Sequence, residues 1–204
     1  MDPWRSLSGL SPEEVRSLQN QKLSTFINTQ LYPFSPYYRR VFDQHKIDPK
    51  SIKSVADLKH LPLTSKADFI SKEDPGIYKQ FVLQPDEKLI RKYWPASKLV
   101  PLALNKIFKG KETVMDGLNR EYRPVFMTFT TGTTNSPVPF LYSNYDIDNL
   151  HVSGARMLAL FKMNPENKIM NLFPFAPHLA FWQVFFGGLA SNVFALGTGG
   201  GKVM

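Results

Sequence analysis

The chain has 204 residues, of which 43% are hydrophobic, 13% aromatic and 21% charged, with a formal net charge of +8. That balance excludes a disordered tail, a collagen-like chain and a heptad-built coiled coil, and the length suffices to bury a core. Cysteine is absent, which excludes disulfides, thiolate metal sites and a cysteine nucleophile and agrees with a reducing compartment.

The first 75 residues read as short, well-punctuated helices. In Ser11-Pro12-Glu13-Glu14, Ser11 can cap, Pro12 suits the first helical position and Glu14 closes a capping box. Val15, Leu18, Phe26, Ile27 and Leu31 then recur at helical spacing. Ser35-Pro36 opens a second helix with Tyr38 and Phe42 on one face. Ser54 and Asp57 form another capping pair, Leu61-Pro62 ends that helix, and Thr64-Ser65-Lys66-Ala67-Asp68 starts the next. None of these helices is long enough to stand alone in water. No secretory or transit segment is legible after Met1, which makes the cytoplasm the default location.

Residues 76–124 read as an irregular connection holding a strand over Tyr78–Leu83 and a helical piece near Leu102–Phe108. From residue 125 the pattern becomes α/β. Val125–Phe129 and Val138–Tyr142 predict strands, and Asn144 predicts the cap of a helix to Lys162 with Ile147, Leu150, Met157, Leu158 and Phe161 inward. Lys168–Phe173 predicts a strand, His178–Leu189 a helix and Asn192–Leu196 a strand. Alternating strands and helices are the grammar of a mostly parallel sheet flanked by helices. The expected organisation is therefore a helical segment over 1–75, a connection over 76–124 and an α/β core over 125–204. Between Lys168 and Lys202 no residue is charged, but prolines and glycines interrupt the run, so buried strands and a helix fit better than a membrane span.

The charge is uneven. Residues 126–204 carry a net +1, which leaves +7 on the first 125. A nucleic-acid surface, attraction of an anionic nucleotide and a solvated helical surface all fit; the basic residues are interspersed with acids, which disfavours nucleic acid.

The segment richest in chemistry is Thr130-Thr131-Gly132-Thr133-Thr134-Asn135-Ser136-Pro137, between two predicted strands. Hydroxyls and free backbone N–H groups suit an anion, and Gly132 permits close approach or a left-handed backbone. No Gly-Lys-Ser/Thr ending follows, so this is not a Walker A loop. Composition alone favours a plain hairpin with a threonine-rich tip, since turns select these residues anyway. Further on, Phe175 and His178 lie in Phe173-Pro174-Phe175-Ala176-Pro177-His178. His178 reads either as a substrate-facing residue or as a helix cap. No His, Asp or Glu spacing predicts a metal site.

The segment Phe129–Pro137 resembles the phosphate-binding signature of the adenylate-forming superfamily. It matches at Thr130, Thr131, Gly132, Thr133, Thr134 and Pro137. Ser35–Arg39, Ser54–Leu58 and Leu61–Asp68, in that order and spacing, are similar to the N-terminal region of phenylacetate–coenzyme A ligases. The resemblance implies an incomplete N-terminal domain of an ATP-dependent carboxylate ligase. There a carboxylate attacks the α-phosphate of ATP, and a thiol such as coenzyme A then takes the acyl group. Thr130, Thr131, Gly132, Thr133, Thr134, Asn135 and Ser136 would hold phosphates, with Mg²⁺ sharing their charge, while His178 and Phe175 would face the carboxylate substrate.

The resemblance also implies that the catalytic lysine, the adenine and ribose contacts and the Mg²⁺-associated glutamate lie outside this chain, which holds no catalytic residue and is expected to be inactive alone. The partners it implies are a small carboxylic acid and the rest of the polypeptide, without nucleic acid or membrane. An unpaired sheet edge would favour self-association. Two departures from the signature stand out. Asn135 replaces a glycine, and Ser136 and Val138 flank Pro137 where relatives carry a lysine. A non-catalytic nucleotide-binding or scaffold remnant is the alternative.

Overall fold

The computed structural model describes residues 6–71, 73–130, 137–175 and 179–200. The chain divides into two compact units, Met1–Met115 and Asp116–Met204.

In the first unit, α1 (Pro12–Phe26) starts at the expected capping box: the Glu14 amide donates to Ser11 Oγ at 3.2 Å, and the Ser11 amide to Glu14 Oε2 at 2.7 Å. The helix runs on through a π turn, Ile27–Leu31, and a short turn, Tyr32–Phe34. The Trp94 indole N–H donates to the carbonyl of Thr29, inside the π turn, at 2.8 Å. Ser35 caps α2 (Pro36–Gln44), and its hydroxyl also donates to the Gln80 carbonyl at 3.1 Å. Ile27, Phe42 and Ile52 form the core, with Leu23, Leu31, Tyr32, Ile47 and Leu61 packed against them. Phe26, expected with the inward set, is exposed because it neighbours Ile27 on the helix and only one of the two can face that core.

The capping pair Ser54/Asp57 forms as expected and a second one, Ser65/Asp68, forms in the segment expected to start the next helix, but what they start are 3₁₀ turns, Val55–His60 and Lys66–Phe69. The strand expected over Tyr78–Leu83 is instead a 3₁₀ turn, Ile77–Phe81. Its Phe81 stacks on Tyr37 and Phe69, both at 4.0 Å between centroids. Those aromatic residues, which read as a β signal in isolation, serve side-chain stacking rather than a ladder. Two helices follow, α3 (Glu87–Tyr93) and α4 (Ala96–Tyr122), the latter broken at Gly110 where φ is 88°. The helical piece expected near Leu102–Phe108 is the middle of that longer element.

The second unit is α/β. β1 (Pro124–Phe129) and β2 (Pro139–Ser143) pair antiparallel, with Met127 opposite Leu141 and Phe129 opposite Pro139. Helix α5 (Asn144–Leu160) is capped by Ser143, not Asn144, in a box with Asp146. β3 (Lys168–Asn171), α6 (Leu179–Ala190) and β4 (Phe194–Gly197) make a parallel pair with its crossover helix. The α/β class is thus as expected, but the first two strands form a hairpin of their own, a two-stranded sheet separate from the parallel pair. The short connection between them permits antiparallel pairing without a crossover.

Leu150, Gly154 and Leu158 form the buried side of α5. Phe161, expected inward, is 71% exposed because the helix has ended before it. Helices α5 and α6 cross at Gly154 and Gly187. A Cβ at Gly187 would lie 2.9 Å from Gly154 Cα, so the backbones meet directly. Among the described residues no helix is long and apolar enough to cross a membrane.

Candidate functional site

The hairpin β1–β2 carries the threonine-rich segment. Its neck is built by one residue pair: the Thr130 amide donates to the Val138 carbonyl at 3.0 Å, and the Val138 amide donates to Thr130 Oγ1 at 3.0 Å. Thr130 Oγ1 retains its own proton for a further acceptor. Thr131, Gly132, Thr133, Thr134, Asn135 and Ser136 lie outside the described residues.

At the foot of this neck is a cavity of about 350 Å³ lined by Thr128, Phe129, Thr130, Phe140, Tyr142, Leu179 and Ala180. The strand pair supplies its hydroxyls, and the first turn of α6 supplies an apolar side. Thr128 is buried, and its hydroxyl donates to the Tyr142 oxygen at 3.4 Å. The lining contains no charged side chain, so this concave, mostly apolar space with a few hydroxyls suits an uncharged organic group beside a polar one. Phe140, Tyr142, Leu179 and Ala180 were not legible as site residues, since strand and helix patterning is also what a core would show.

The other candidate segment follows β3. Phe175 packs edge-on to Phe181 at 4.5 Å between centroids and lies on the backbone of Gly199, where an added Cβ would overlap its ring. It is not in the lining of the cavity above; His178 lies outside the described residues. Thr130 and the start of α6 are therefore brought together, while Phe175 sits at the C-terminal ends of the parallel strands. In open α/β sheets ligands bind outside those ends.

Titration is perturbed elsewhere, in the first unit. Burial pushes the Tyr32 and Tyr37 phenols up, with the Asp43 and Asp68 carboxylates respectively adding to it. Hydrogen bonds from Ser54 and Ser65 hold Asp57 and Asp68 below the usual carboxylate range. These groups belong to caps and core packing. Among the described residues no group of three His, Asp or Glu could hold a metal ion.

No family model matches the chain. It is 25% identical over 183 residues to a phenylacetate–coenzyme A ligase of Escherichia coli, covering 89% of this chain and 31% of that one. A phenylacetate–coenzyme A ligase of Thermus thermophilus is 36% identical over 62 residues, which are 30% of this chain and 14% of that protein. The fold matches 2-hydroxyisobutyryl-CoA ligase, solved in complex with 2-HIB-AMP and CoA in the thioesterification state. The TM-score is 0.68 at 17% identity, over 95% of this chain and 34% of that one. This chain is similar to the phenylacetate–coenzyme A ligases of the adenylate-forming superfamily. It spans about a third of the length of the E. coli relative and of the matching structure, and that partial coverage fits the N-terminal portion of such a ligase.

Proposed function

We propose that the protein carrying this ligase-like chain is an AMP-forming carboxylate–coenzyme A ligase, with the β1–β2 hairpin presenting the phosphate-binding segment. The observation that supports this reading is the hairpin neck at Thr130 and Val138, where Thr130, the first residue of the signature, itself lines an uncharged, hydroxyl-bearing cavity. Thr130, Thr131, Gly132, Thr133, Thr134, Asn135 and Ser136 would bind and orient the β- and γ-phosphates of ATP through hydroxyls and backbone N–H groups. Fixed dipoles of this kind stabilise charge that develops on phosphate without a side-chain nucleophile. The substrates would be ATP, a small carboxylic acid and coenzyme A, and a cytoplasmic location goes with that supply. Mg²⁺ enters through the resemblance alone, and we assign it no ligand in this chain. The remaining catalytic groups would come from polypeptide beyond this chain.

The test is pyrophosphate release by the full-length protein, expected only when an aryl or acyl carboxylate joins ATP. A broad acid panel without any carboxylate-dependent release would overturn the reading. The loop itself is tested by Thr133→Val and Thr134→Val. Each should weaken nucleotide binding by about 1–3 kcal/mol if its hydroxyl meets a charged phosphate. Titration calorimetry measures this, and unchanged affinity would reduce the segment to a turn. Asn135 in place of glycine, and Ser136 and Val138 in place of a lysine, favour a second reading. It is a nucleotide-binding or scaffold protein of the same fold, which would bind nucleotide without turnover.

A further inference from the structure

Helix α4 runs for 27 residues, and none of them is buried. Before the break at Gly110, Val100, Leu104, Ile107 and Phe108 recur at the spacing that aligns side chains on one face of a helix. All four are exposed, Ile107 by 75% and Phe108 by 80%. A stripe of large apolar side chains held in water marks an interaction surface. The charge around it indicates the partner. From Lys88 through Lys111 the chain has seven lysines and arginines and no aspartate or glutamate. Glu87, just before that run, is engaged by Arg91. Lys98 lies over the Trp94 ring at 5.0 Å. Lys106 and Lys109 are exposed, on the side of the helix turned away from the stripe.

We propose that α4 before Gly110 docks in the plane of an anionic lipid surface, with Val100, Leu104, Ile107 and Phe108 entering the headgroup boundary and the lysines meeting the negative charge. A basic helix with one apolar face binds such surfaces by burying that face and neutralising the lipid charge together. Lysine stems lie along the apolar boundary while their ammonium groups reach phosphate oxygens. A second copy of this chain would bring the same uncompensated positive charge against the first, and like charges face to face oppose association. A covering segment of protein would have to supply acids for the lysines as well as an apolar surface; a bilayer with anionic lipid supplies both everywhere. This part of the helix is about 21 Å long, short of what a crossing needs, so it lies on the membrane. The family resemblance implies no membrane partner; the inference rests on α4 alone and is independent of the ligase reading.

The experiment is co-sedimentation of the full-length protein with vesicles of phosphatidylcholine alone and of phosphatidylcholine with about a quarter phosphatidylglycerol, at low and high salt. Wild type should bind the anionic vesicles about tenfold or more tightly than the neutral ones, and lose most of that binding at about 0.5 M salt. Two double variants, Ile107→Asp with Phe108→Asp and Lys106→Gln with Lys109→Gln, should each weaken binding by about tenfold or more. All four residues are exposed, so thermal melts should match wild type, and the lysine pair covers the case in which the aspartates disturb the helix. Anionic vesicles should also shield residues 106–111 from trypsin. No binding to either vesicle, equal binding to both, or unchanged binding by either folded variant would overturn the proposal. Two further results would overturn it and name another occupant. Resistance of residues 106–111 to trypsin without vesicles assigns the face to the rest of the polypeptide. A concentration-dependent doubling of mass that the aspartate pair abolishes assigns it to a second copy.

Discussion

Thr130 shows how much one hydroxyl can decide. Its Oγ1 accepts the amide of Val138, a residue only 5% exposed, so removing that acceptor leaves a buried N–H unpaired. Thr130→Val should destabilise the second unit by about 1–3 kcal/mol, whereas Thr130→Ser keeps the acceptor and most of the stability. Urea unfolding followed by the tryptophan signal measures the difference. Titration is also argued residue by residue. Asp57 and Asp68 have depressed pKa values in the fold, so their stabilisation is complete above the ordinary carboxylate value near about 4 and is lost as pH falls through the folded values. Tyr32 and Tyr37 have raised values, so stability falls as pH climbs past the ordinary tyrosine value near about 10. Thermal melts across pH should show both limbs, and Asp57→Asn with Asp68→Asn should flatten the acid one.

Among the elements, the crossing of α5 and α6 is the most demanding. Gly154 and Gly187 bring the two backbones into contact, and the Gln183 amide donates to Ser153 Oγ beside them at 2.7 Å. Only a hydrogen fits at either position. Gly154→Ala should cost about 1–3 kcal/mol or more by forcing the helices apart, against the small gain that alanine usually brings to a helix. A lower melting temperature is the expected outcome; a neutral or stabilising effect would mean that the helices can slide. Some element starts were legible because capping is a contract between residues three apart, as in Ser11/Glu14 and Ser54/Asp57, and Ser65/Asp68 repeats the pattern. Element type was less so. Those last two boxes start 3₁₀ turns, and the aromatic run around Phe81 makes a stacked cluster, because what a side chain packs against lies far away in sequence.

For the whole molecule, the two units are each held by their own core, and their boundary falls just after the break in α4. Lys106, Lys109 and Lys111 are all exposed around Gly110. Brief trypsin treatment should therefore cut first over residues 106–111 and leave two resistant fragments, identified by mass spectrometry. A first cut elsewhere would show that this stretch is protected.

From residue order alone follow the α/β class, the helix start at Ser11, the places of β1 to β4 and the signature segment, since each depends on neighbours within a few residues or on a short motif. The 3₁₀ turn in place of a strand at Tyr78–Leu83 and the cap at Ser143 rather than Asn144 do not. Residue order could not say that β1 and β2 pair with each other while β3 pairs with β4, that Gly154 meets Gly187, or that the buried Asn171 side chain bonds the Phe181 carbonyl and the Phe173 amide. Strand partners and buried hydrogen bonds are chosen among residues distant along the chain, by which faces can exclude water together and which polar groups then find a match. That competition has no local signature, so only the tertiary structure settled it.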